Sequence, residues 1–173
     1  AACLSNDLNY YGTDPNRALI SKLKELTKRF HSITDCKSKV DIKPHGSEKY
    51  VPQWKGKIGL AFSSPPYFDL EEYSLSDKRG QSTKTHADYD RWLKNYMGGT
   101  LSNIKQYLVK DGFLVLNIKN IGKHNMFDDC MGLAEKMGFE MVEIASFTPT
   151  VNGYKRPNGN PNLERIMVLQ KAK

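Results

Sequence analysis

The sequence predicts an α/β domain built on a mostly parallel sheet that ends in an antiparallel hairpin. Two observations carry this. Short apolar or alternating runs at Tyr10–Asp14, Lys39–Lys43, Lys57–Phe62 and Gly112–Ile118 are separated by segments whose apolar residues recur at helical spacing, the pattern of repeated β-then-α units. Beyond them, Phe139–Phe147 and Arg165–Gln170 read as two strands joined by the Pro/Gly/Asn-rich stretch Thr148–Leu163, which makes a terminal hairpin.

At 173 residues the chain suits one domain that buries roughly 70% of its unfolded surface, so residues 1–173 are read as a single unit. Apolar residues at 39% and charged residues at 26% are those of a globular protein and exclude disordered and collagen-like chains. No apolar run approaches the ~20 residues that span a bilayer. Ala1–Asp7 lacks the basic and apolar regions of a signal peptide, so the expectation is a cytoplasmic protein with no membrane partner. Cys3, Cys36 and Cys130 are far apart and lack metal-ligand spacing, which predicts reduced thiols in ordinary packing and no metal site. The net charge of +7 suits a polyanionic partner such as nucleic acid. Lys22, Lys24 and Lys28 read as a solvated helix face.

Tyr10–Asp14 is a strand ending at an acidic residue, and Pro15 then opens a helix as its first residue, with Leu19, Leu23, Leu26 and Phe30 as its apolar stripe. In nucleotide-binding α/β folds an acidic side chain at a strand's carboxyl end accepts hydrogen bonds from ribose hydroxyls, a role open to Asp14. Asp is equally a good helix cap. Lys39–Lys43 is a brief alternating strand closed by Pro44 and Gly46.

Lys57–Phe62 then runs straight into Ser63-Ser64-Pro65-Pro66-Tyr67-Phe68. Consecutive prolines fix φ and carry no N–H, so the chain leaves the strand stiffly, with carbonyls free to accept. The Ser64 hydroxyl and the Pro65 carbonyl can both hold a planar amino group, while Tyr67 and Phe68 offer π faces to the ring that bears it. The following Asp69–Thr85 is too long for a plain connection and reads as a functional loop. A helical stripe then runs from about His86 to Val109, interrupted at Gly98-Gly99 by a kink or a division into two helices. Lys110-Asp111-Gly112 closes it. Gly112–Ile118 is apolar enough for burial on both faces. Asn125 caps a further helix, whose stop is Gly138.

The block Ser64-Pro65-Pro66-Tyr67 resembles the catalytic motif of S-adenosylmethionine-dependent amino-methyltransferases, whose DNA members carry Asp, Asn or Ser before Pro-Pro-Tyr. The run Tyr67–Ser74, with Gln81-Ser82 and Tyr89–Leu93, is similar to the segment after that motif in phage and bacterial DNA methylases. The resemblance implies a Rossmann-like methyltransferase fold, S-adenosyl-L-methionine as cofactor, and methyl transfer to the exocyclic amine of adenine or cytosine in DNA, as in restriction-modification. Ser64, Pro65, Pro66 and Tyr67 would be the catalytic motif. Tyr67 and Phe68 would hold the base, with Lys155 and Arg156 on the nucleic acid. It favours the ribose role for Asp14, and it makes Ser47 or Glu48, after the next strand, the contact to the cofactor's adenine.

The family's order also implies a first strand and a glycine-rich turn just before Tyr10. Ala1–Asn9 contains no glycine, and nowhere does Gly-x-Gly follow a strand and open a helix. The expectation is therefore a partial catalytic domain that begins inside the fold. The rival readings are methylation of an RNA base or a protein glutamine amide, and an inactive fragment that only binds nucleic acid or a partner chain.

Overall fold

The computed structural model describes residues 8–66, 68, 88–120, 124–147 and 164–172. In order these form β1 (Tyr10–Thr13), α1 (Arg17–Ile33), β2 (Val40–Lys43), a 3₁₀ turn (Pro52–Trp54) and β3 (Ile58–Ser63). Next come α2 (Tyr89–Arg91), a π-helical segment (Trp92–Met97), α3 (Gly98–Tyr107), β4 (Leu108–Ile118), α4 (Met126–Lys136), β5 (Phe139–Phe147) and β6 (Glu164–Lys171).

The strands lie in two sheets. β1 and β2 pair in parallel, and a four-stranded sheet runs β3-β4-β6-β5. β3 is parallel to β4, while β6 is antiparallel to both β4 and β5. The hairpin is thus as expected, with the last strand inserted beside β4. The parallel part departs from a single sheet, because among the described residues β1 and β3 are each hydrogen-bonded only to β2 and β4 respectively.

The core lies on one face of the larger sheet. Leu114, Leu116 and Ile118 of β4 and Met167 and Leu169 of β6 are buried against Trp92, Met97 and Leu101, and against Met126, Phe127, Cys130 and Ala134 of α4. The expectation that β4 is buried on both faces is not met. Phe113 and, on β3, Leu60 and Phe62 project the other way and stay exposed, because the described helices that follow β3 all pack on the first face. Trp54, Tyr107 and Val51 make a second small cluster, which Tyr11 and Ile58 join.

Several local expectations are corrected. α1 begins at Arg17 with Asn16 as its cap, its side chain accepting from the Leu19 N–H, so Pro15 precedes the helix. Ile20 is the residue α1 buries, whereas Leu19 and Leu26 of the expected stripe are exposed. At Gly98-Gly99 the backbone stays helical, and the expected division takes the form of a change of helical type, from the wider π turn Trp92–Met97 to α3 at Gly98. β4 starts at Leu108, and Asp111, at φ 60°, takes up extra residues opposite the start of β3. At the start of α4 the N–H of Phe127 is held by Asn120, whereas Asn125, at the cap position, makes no side-chain cap bond. Among the described residues no helix is long and apolar enough to cross a membrane.

Candidate active site

Two contacts orient the small sheet against the large one. At the base of β3, the Trp54 indole N–H donates to Asp41 of β2 over 2.7 Å, and its ring meets Tyr11 of β1 edge-on at 5.6 Å. At the other end, the turn after β2 docks on the start of α3: the Ser47 and Thr100 hydroxyls are 2.7 Å apart, and Asn103 donates to the Ser47 carbonyl over 2.9 Å. α3 runs directly into β4, so its first turn lies towards the carboxyl ends of β4 and its parallel neighbour β3. The carboxyl ends of all four parallel strands therefore share one side of the molecule, where open α/β sheets bind their ligands.

Gly99 permits that docking. A Cβ there would stand 3.1 Å from the Glu48 Cβ and 3.4 Å from its backbone, so the turn would have to give by a few tenths of an ångström. The glycine read in the sequence as a break thus serves a close approach.

The sequence-derived residues divide as follows. Ser64 follows the last residue of β3 and is exposed, Pro65 is buried and Pro66 is half-buried. The hydroxyl that could hold an amine faces solvent from a stiff segment whose ring is anchored. Asp14 follows β1, and its Oδ1 accepts from the Asn16 N–H at 2.7 Å, an Asx turn that leads into α1. Glu48 is half-buried, with its carboxylate folded over Gly46. Ser47 spends its hydroxyl on Thr100 and lies 3.5 Å from the Tyr96 oxygen. Burial pushes the Tyr96 phenol up to about 12, although Ser47's hydrogen bond opposes the rise.

Phe68 departs from its expected role. It is 6% exposed and belongs to the main core, so its ring is not presented to a substrate. It meets Tyr89 edge-on at 5.6 Å and His124 at 5.7 Å, and lies 6.2 Å from Trp92. Tyr89 and His124 stack with centroids 4.1 Å apart, and the Tyr89 hydroxyl donates to Asp129 of α4 over 2.6 Å. Burial, with the Asp129 carboxylate beside it, raises the Tyr89 phenol far above its ordinary range and keeps it a donor. Tyr67, Lys155 and Arg156 lie outside the described residues.

Sequence reasoning placed Tyr89 on a helical stripe and in the run that resembles the segment after the methylase motif, and did not single out His124. The available signal was position: His124 lies in the segment after β4 and Ser64 directly after β3, and these are adjacent parallel strands.

No protein-family model matches the sequence, and no curated protein matches it either. Solved structures do resemble it. A protein from Thermus thermophilus, assigned as a DNA modification methylase, is similar over 95% of this chain with a TM-score of 0.51 and 16% identity, and this chain spans only 53% of its length. A SAM-dependent methyltransferase from Methanosarcina mazei is similar over 99% of this chain and 85% of its own, with a TM-score of 0.60 and 12% identity. The N-methyltransferase NodS from Bradyrhizobium japonicum, in complex with S-adenosyl-L-homocysteine, matches over 95% of this chain and 67% of its own at a TM-score of 0.58 and 10% identity. At such identities the likeness is one of architecture: the chain has the Rossmann-like α/β methyltransferase fold.

Proposed function

We propose that residues 1–173 are a partial catalytic domain that transfers a methyl group from S-adenosyl-L-methionine to the exocyclic amine of adenine or cytosine in DNA. The observation that carries this is the exposed Ser64 on a proline-stiffened segment at the carboxyl end of β3, in a chain with the methyltransferase fold. The likeness to a structure assigned as a DNA modification methylase and the net charge of +7 favour DNA.

The residues present fit the nucleoside half of the cofactor. Asp14 and Glu48 are carboxylates that follow β1 and β2, strands paired side by side from Tyr10↔Val40 to Thr13↔Lys43. Such groups suit ribose hydroxyls and an adenine amine. With the Ser47 hydroxyl engaged by Thr100, Glu48 is the better adenine contact. The turn from β1 into α1, Asp14–Asn16, holds no glycine, so that strand end offers no glycine-rich cradle for the methionine half.

When bound, the cofactor supplies an electrophilic methyl group. The chain's own residues do the orienting. The Ser64 oxygen and the Pro65 carbonyl accept from the two amine hydrogens, which turns the nitrogen lone pair out of the ring plane and towards the cofactor side. Tyr67 stacks on the base. Extruding a base from duplex DNA costs a few kcal/mol, and stacking worth ~1–3 kcal/mol per base offsets it.

Incubating the chain, joined to a segment that completes the cofactor cradle, with methyl-labelled S-adenosylmethionine and DNA, RNA or protein tests the reading. Label on a DNA base amine is the expected product. Label on an RNA base or a glutamine amide transfers the pocket to that substrate, and no label in any of them leaves a binding fragment.

A further inference from the structure

The geometry points to Tyr89 and His124 as positioning residues that act through Phe68 on the Ser64-Pro65-Pro66 segment, an inference that rests on the reading of this segment as an amine holder. The segment is a short arm held at both ends. Ser63 opposes Leu116 in the β3–β4 ladder, and Phe68, two residues past Pro66, is buried in the core. Within the arm Pro65 and Pro66 have fixed φ, which stiffens the part that follows Ser64.

What holds the far end is aromatic. Tyr89 and His124 both present edge-to-face contacts to Phe68, with interplanar angles of 71° and 88°, the preferred arrangement for such rings. The two stack on each other, and Tyr89 is tied to α4 through Asp129. Asp129 sits in the first turn of that helix, its N–H donating to the Asn125 carbonyl. His124 comes from the segment after β4 and Tyr89 from the start of α2. Thus two residues distant in sequence from the arm hold its far end at Phe68. A donor or acceptor misplaced by ~1 Å can lower the rate of an oriented reaction by ~100-fold, so the clamp acts on rate more than on affinity.

The test uses His124→Ala, His124→Phe and Tyr89→Phe in the 173-residue chain for amide hydrogen exchange, and in the cradle-completed protein for transfer rates. His124→Ala is expected to speed exchange at the Ser63, Ser64, Tyr67 and Phe68 amides, the four N–H groups within residues 63–68, about tenfold, the effect of losing one aromatic contact, with β4 and β6 unchanged. It should lower kcat ~10–100-fold with KM altered less than ~3-fold. His124→Phe keeps a ring against Tyr89 and should restore both readouts. Tyr89→Phe keeps the rings, loses the Asp129 bond and should fall between. Unchanged exchange at residues 63–68 in His124→Ala, faster exchange across the whole sheet, or no rescue by His124→Phe would overturn the clamp. If Ser64→Ala transfers methyl as fast as the parent, the amine-holder reading falls instead, and the exchange data still decide whether the clamp exists.

Discussion

Trp54 donates its indole N–H to Asp41 across 2.7 Å, so the residue that leads into β3 is fastened to the second strand of the other sheet. Asp41 also faces Lys43 at 2.8 Å. Burial pushes the Asp41 carboxyl up, but the hydrogen bonds from Lys43 and Trp54 outweigh it and leave the group below its ordinary value. A carboxyl depressed by folding stabilises the fold above the unfolded value, near pH 4, and loses that contribution as pH falls through the native value. The melting temperature of the parent should therefore exceed that of Asp41→Asn at pH 7, with the gap closing below about pH 4. A gap of constant size from pH 7 to pH 3 would remove Asp41 from the acid transition.

Ser64 and Tyr67 have separable tasks. Ser64→Ala removes an acceptor that matters as the amine nitrogen rehybridises, so single-turnover transfer in the cradle-completed protein should slow ~10–100-fold with substrate binding little changed. Since Ser64 is exposed, thermal stability should hold. Tyr67→Ala should weaken binding and transfer together, whereas Tyr67→Phe retains the stacking face and most activity. Equal damage from both Tyr67 variants would shift the role to the phenol oxygen.

Gly99→Ala should destabilise the chain even though alanine favours a helix by ~1 kcal/mol over glycine. The added Cβ meets Glu48 at 3.1 Å, and the turn cannot easily recede because Thr100 and Asn103 hold Ser47. Overpacking of this kind costs ~1–3 kcal/mol. A lower urea midpoint is expected, and a raised one would mean that the turn yields freely.

Cys130 is fully buried, and desolvation, with Asp129 adding a smaller push, raises its thiol to about 12. The thiolate is the reactive form. At pH 8 Cys130 should resist iodoacetamide in the folded chain and be alkylated rapidly in denaturant, which peptide mass mapping can follow. Rapid labelling in the folded state would show that α4 opens readily.

Neutralising Lys155 and Arg156 together should weaken DNA binding alike at all sequences and reduce the salt slope by ~2, since each phosphate contact releases about one counterion. An unchanged slope in fluorescence anisotropy would put these residues away from the DNA.

Strand positions and the terminal hairpin were legible because β-branched and apolar runs bounded by Gly and Pro carry their own signal. What was not legible depends on partners distant in sequence. Phe68 looks like a ligand face in its local motif, and only Tyr89, Trp92 and His124 arriving around it turn it inward. The Gly98-Gly99 pair has the signature of a break, and only the arrival of Glu48 explains why a glycine is needed where the backbone stays helical. Likewise Asn125 stands where a cap belongs, yet Asn120 reaches the Phe127 N–H.

β3 ends the larger sheet with its outer backbone edge unpaired among the described residues, and it carries Leu60 and Phe62 at 62% and 67% exposure. Unpaired edges with apolar side chains are templates for intermolecular strand pairing. The motif-bearing strand is therefore also an edge at which isolated copies can pair, as is β5 with Val142 and Ile144 exposed, and the net charge of +7 opposes such contact. Added salt, which screens that repulsion, should therefore favour strand pairing at the same six-residue strand that leads into Ser64.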